Sequence, residues 1–72
     1  MRQYAFVKFD QTTCSKEHWD QYYKATFGED IFIYLGEVPN CPGHCILADL
    51  TSGKVIGMYH TDNFREATEE EV

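Results

Sequence analysis

A chain of 72 residues leaves room for one domain with a modest core, because a short chain buries a smaller share of its surface than a long one. Twelve Asp and Glu against six Lys and Arg give a net charge of −6, which repels phosphate backbones and argues against direct nucleic-acid binding. No apolar run approaches the ~20 residues of a membrane-spanning helix, and the N-terminus lacks the basic-then-apolar layout of a signal peptide.

The three cysteines are odd in number and irregular in spacing, so reduced thiols and a cytoplasmic location are expected. Aromatic residues make up 15% of the chain, and dense aromatic packing can stabilise so small a domain where others use a disulfide or a metal.

In chain order, residues 3–9 read as a first strand, with Ala5, Val7 and Phe9 on one face and Tyr4, Phe6 and Lys8 on the other. Ser15 is a natural N-cap for a helix over 16–27, whose apolar groups Trp19, Tyr22, Tyr23 and Phe27 share one face. Gly28 closes it. Residues 31–35 are apolar on both parities, as expected of a strand central in the sheet. The prolines, asparagine and glycine of 37–43 make a loop.

Strands over 44–50 and 54–60 follow, joined by Thr51-Ser52-Gly53 as a three-residue hairpin loop with Gly53 in the left-handed conformation. Counting outward from that loop pairs Ala48 with Ile56, Ile46 with Met58 and His44 with His60, and this face is expected to meet the core. A four-residue loop would instead pair Cys45 with His60. Thr61 or Asp62 then caps a short helix to about Thr68, pinned by Phe64 and Ala67.

The expected fold is therefore α+β: a four-stranded, mainly antiparallel sheet in the order β-α-β-β-β-short α, with the long helix packed on one face. The alternative is a small, bent SH3-like barrel with an inserted helix, in which 62–68 is only a helical turn. Residues 1–72 form a single domain, with 69–72 a frayed acidic tail.

Reactive side chains concentrate in Cys41-Pro42-Gly43-His44-Cys45, with Cys14, His18 and His60 elsewhere. Cys41 and Cys45 with His60 suggest a structural zinc site completed by Cys14 or His18, although strand alternation sends His44 and Cys45 to opposite faces. Cys14, just before a helix start, suggests a thiol nucleophile with His44 or His60 as base, in the chain order of a papain-like hydrolase. Cys41 and Cys45 as a redox dithiol lack the helix that activates thioredoxin-type sites. Against all three stands a structural role: buried cysteines as small apolar fillers and histidines hydrogen-bonded at strand ends.

Asp20, Glu29 and Asp30 lack the alternation of a calcium loop, and Thr51-Ser52-Gly53-Lys54 lacks the first glycine and following helix of a P-loop. No catalytic set and no cofactor is expected. The function expected is a small acidic interaction or regulatory module that modulates a larger protein partner, or self-dimerises, without catalysis of its own. The interaction candidates are Tyr4, Phe6, Phe32, Tyr34, Glu66, Glu69 and Glu70, aromatic strand residues in excess of what one helix can cover and the acids near the C-terminus.

Overall fold

The computed structural model describes residues 1–28 and 30–72, so the expectation for Glu29 lies outside the described residues. Five strands form one antiparallel sheet: β1 (Phe6–Phe9), β2 (Phe32–Glu37), β3 (His44–Asp49), β4 (Val55–His60) and β5 (Phe64–Glu66), in spatial order β4-β3-β2-β1-β5. One helix, α1, runs over 16–27 between β1 and β2. Four strands and the helix match the expected order only roughly: β1 begins at Phe6 and not at residue 3, so Tyr4 lies in the turn before it, and β2 runs on to Glu37, while its central place in the sheet is as expected.

The fifth strand is a correction. Residues expected to form a short helix make only a single 3₁₀ turn at Thr61–Asn63 before pairing with β1 through Val7–Glu66, Lys8–Arg65 and Phe9–Phe64. A three-residue strand has no periodicity of its own to read; β1 supplies the ladder.

This connection has a geometric consequence. β4 and β5 are opposite edges of the sheet, and in a flat sheet four inter-strand spacings would separate them by ~19 Å. The four residue steps from His60 to Phe64 reach at most ~14 Å, so the sheet must curl. Closure is fastened by backbone bonds from Thr61 N–H to the Gly43 carbonyl (2.8 Å) and from Asp10 N–H to the Asn63 carbonyl (2.7 Å).

The helix begins where Ser15 Oγ accepts the His18 N–H at 3.1 Å. Its middle turn, Trp19–Tyr23, is π-helical, with the Lys24 N–H bonded to the Trp19 carbonyl. The widened turn cancels the drift of an α-helix, so Trp19, Tyr23 and Phe27, four residues apart, line up on one side. Tyr22, expected on the same face, is turned out to solvent, where its ring lies 5.4 Å from that of His18. Gly28 ends the helix at φ +48°, where a side chain is strained.

Val7, Phe9, Trp19, Phe27, Phe32, Tyr34, Cys45, Leu47 and Phe64 form the core. Phe9 is a hub, its ring centroid 5.2 Å from Trp19, 4.9 Å from Tyr23, 5.0 Å from Phe27 and 5.5 Å from Phe64. Phe27 carries the helix into the sheet, reaching Phe32 at 5.8 Å, Tyr59 at 5.1 Å and Phe64 at 5.4 Å. Offset and edge-on ring pairs of this kind each add about 0.5–1.5 kcal/mol beyond their buried area.

The hairpin realises two registers. Near the turn, Ala48 faces Val55 and Leu47 faces Ile56, the alignment of a loop over 50–53, shifted by one residue from the expected register and in the opposite sense to the alternative that pairs Cys45 with His60; at the open end, Cys45 faces Tyr59 and His44 faces His60. A bulge reconciles them, with Gly57 and Met58 lying between the two alignments against the single residue Ile46, and Met58 taking φ +66°. The expected face assignment is thereby overturned. Cys45 and Leu47 point into the core with Ile56 and Tyr59 against it, whereas Ile46, Ala48 and Met58 lie outside the core cluster.

Candidate functional site

Alternation along β1 buries Val7 and Phe9 and therefore turns Phe6 outward, where it remains 40% exposed. Phe6 sits in a cross-strand row with Ile33, Ala48 and Val55, an apolar band across the outer face of the sheet. At its β1 end the band runs into a concavity of ≈ 330 Å³ lined by Arg2, Phe6, Glu66, Ala67, Thr68, Glu69 and Val72.

Two sets of contacts shape that concavity. The Ala67 N–H bonds to the Phe6 carbonyl at 2.8 Å, extending the β1–β5 ladder by one residue. Glu71 then pulls the chain back over β5: Arg65 donates to both its carboxylate oxygens at 2.7 Å, the Thr68 N–H donates at 2.9 Å, and Lys8 Nζ stands 3.8 Å away. Within segment 69–72 these bonds engage the Glu71 side chain. The Arg65 fork and the Thr68 amide hold the Glu71 carboxyl far below the usual carboxylate range.

On the opposite wall Arg2 Nη2 bonds Glu66 Oε1 at 2.7 Å, which lowers the Glu66 pKa and raises that of Arg2. Tyr4, between Arg2 and Phe6 in the chain, has φ +68° and a ring 67% exposed, while its N–H is held by the Tyr34 carbonyl at 2.6 Å. Tyr4 is the third residue of a turn closed by the Ala5 N–H on the Arg2 carbonyl at 3.1 Å, the position at which such a turn takes positive φ, and the turn leaves its side chain in solvent.

Among the interaction candidates, Phe6, Glu66 and Glu69 line the concavity, Tyr4 adjoins it, and Glu70 is exposed on the turn beside it. Phe32 and Tyr34 are corrections. They are 1% and 5% exposed, on the inward parity of β2, because the curled sheet and Phe27 cover residues that a flat sheet with one helix would leave bare. Burial also raises the Tyr34 phenol pKa. Arg2, Arg65 and Glu71 lie outside the expected set; Arg65 stands opposite Lys8 on neighbouring strands, a like-charge pair that calls for an acid, but that pairing arises only with β5.

The cysteine and histidine candidates separate. Cys45 is 0% exposed and on the core side, and burial pushes its thiol pKa up. His60 pairs with His44 on the opposite parity, so Cys45 and His60 do not converge on one ion. Among the described residues no group of three or more His, Cys, Asp and Glu side chains is placed to hold a metal ion, and Cys41, in the 38–43 loop, joins no such group.

Cys14 is half-buried against the core, its sulfur 3.9 Å from the Gln11 carbonyl, and no hydrogen bond joins it to His44 or His60 among the described residues. The structure does bring His44 and His60 together, ring centroids 4.5 Å apart. Asp30 is raised by hydrogen bonding and repulsion from Asp49, whose other partners are the Thr51 and Ser52 amides of the hairpin turn.

Among the described residues no helix is long and apolar enough to cross a membrane. Comparison with known proteins yields no match: neither a protein-family model, nor a curated protein, nor a solved structure is significantly similar to the chain.

Proposed function

We propose that the protein is a small acidic interaction module that regulates a larger protein, docking through the concavity at the β1–β5 edge. The occupant that fits is an extended segment of the partner presenting an apolar side chain flanked by Lys or Arg. Phe6, Ala67 and Val72 offer the apolar floor, and Glu66, Glu69 and Glu70 complement basic flanks in a chain of net charge −6. The observation that carries this reading is that concavity, with the exposed Phe6 on its floor and the exposed Tyr4 side chain adjoining it.

A finer reading of the fold accompanies it. The strand order, with a 3₁₀ turn joining the two edge strands, supports an SH3-like barrel in which α1 is inserted between β1 and β2. Three free thiols, Cys14, Cys41 and Cys45, support a reducing compartment such as the cytoplasm.

The test is affinity capture by the wild-type chain beside Phe6→Ser and Glu69→Lys variants, each shown by circular dichroism to be folded. A partner retained by the wild type, lost by both variants and released by raised salt supports the proposal. Partners retained equally by all three proteins, or binding indifferent to salt, would refute it.

A further inference from the structure

We propose that His44 and His60 form a two-imidazole chelate for a divalent late transition-metal ion on the outer face of the hairpin. Thr61 N–H donates to the Gly43 carbonyl, so bonds run between the residues flanking the histidines and His44–His60 is a non-hydrogen-bonded pair. Opposed side chains come closest at such positions. The imidazole centroids stand 4.5 Å apart with ring planes inclined by 43°. Two nitrogens each about 2.0–2.1 Å from one ion need to be only ~3 Å apart, which small ring rotations supply from this starting distance.

A second observation points to a ligand independently. His44 Nδ1 lies 3.2 Å from the Pro42 carbonyl oxygen. A carbonyl only accepts, so Nδ1 carries the proton in that bond and Nε2 keeps its lone pair for a ligand. This is how ligating histidines are held elsewhere: the distal nitrogen bonds a carbonyl and the free one meets the metal. His60 is exposed and His44 half-exposed, leaving a path for a hydrated ion. Water completes the coordination, because the pair belongs to no larger group of His, Cys, Asp or Glu among the described residues.

Imidazole donors with open positions suit Cu²⁺, Ni²⁺ and Zn²⁺, with Cu²⁺ tightest, and offer nothing to Mg²⁺ or Ca²⁺, which want oxygen. Cys45, the nearest thiol in sequence, faces the core and takes no part. This site is separate from the docking concavity and does not rest on it.

Ni²⁺ is the probe of choice, since it does not oxidise the free thiols, with binding followed by calorimetry and by the shift in Tm. One Ni²⁺ per chain is expected. His44→Ala and His60→Ala should each weaken binding by about tenfold or more, since the second donor acts at high effective concentration. His18→Ala and Cys41→Ser should leave it unchanged. Ni²⁺ should raise the Tm of the wild type and not of either pair variant, which separates lost ligation from lost folding. The assignment is overturned if the wild type binds no Ni²⁺, if both single variants bind as the wild type does, or if His18→Ala or Cys41→Ser abolishes binding.

Discussion

Replacing Phe27 by leucine tests whether α1 is seated on the sheet as described. The side chain is 3% exposed and its ring approaches Phe9, Tyr23, Phe32, Tyr59 and Phe64 with centroids 5.0 to 6.2 Å away. Truncation to alanine would cost about 3–5 kcal/mol, while a chain of this length has a total stability of only ~4–11 kcal/mol. Alanine therefore risks unfolding the protein outright. Leucine keeps most of the apolar volume and gives up the ring contacts, so a loss of about 1.5–2 kcal/mol is expected.

With a urea dependence near 1 kcal/mol per molar for so small a domain, the midpoint should fall by roughly 1.5–2 M. Trp19, buried against Phe9, supplies the fluorescence signal. Tyr22→Ala, on the solvent side of the same helix, is the control and should cost no more than about 0.5 kcal/mol beyond its propensity change. Equal midpoint shifts for the two variants would refute the packing described.

Two further outcomes follow from the electrostatics and the thiols. The Glu71 carboxyl sits below its ordinary value of 4.5 when folded, so its contribution is present in full above that value and is lost as pH falls through the lower folded value. The Thr68 amide resonance should therefore hold its position down to pH 4.5 and move only in stronger acid. Glu71→Gln should show the released position already at neutral pH, and an unchanged Thr68 resonance in that variant would contradict the anchoring role. For the cysteines, brief alkylation of native protein followed by mass measurement should modify Cys14 and Cys41, with Cys45 modified only after denaturation; prompt labelling of Cys45 would contradict its burial.

Local signals placed most of the fold. Ser15 caps α1, Gly53 takes its positive φ in the hairpin turn, and the parity of β1 follows from Val7 and Phe9, because each depends on neighbouring residues alone. The His44–His60 pair was also legible, but for an incomplete reason. A uniform three-residue-loop register predicts it, while the chain arrives there through a four-residue turn and a bulge. Counting therefore succeeded at the open end and failed at the core face, since Gly57 and Met58 carry no pattern that announces a bulge.

The candidate site was less legible. Exposure of Phe32 and Tyr34 depended on sheet curvature, and the link between Glu71 and Arg65 depended on β5, whose partner β1 lies far away in sequence. Such features arise from closure of the whole sheet.

The bulge bears on how the molecule behaves in a crowded solution. β4 ends the sheet and carries Val55 and Met58 bare to solvent, a combination that invites a strand from another molecule to add on. A regular edge would present evenly spaced amides and carbonyls along its whole length. The left-handed step at Met58 interrupts that spacing and increases the local twist, so an incoming strand finds only short stretches in register. The irregularity that brings two histidines face to face thus also makes the exposed edge a poor template for aggregation.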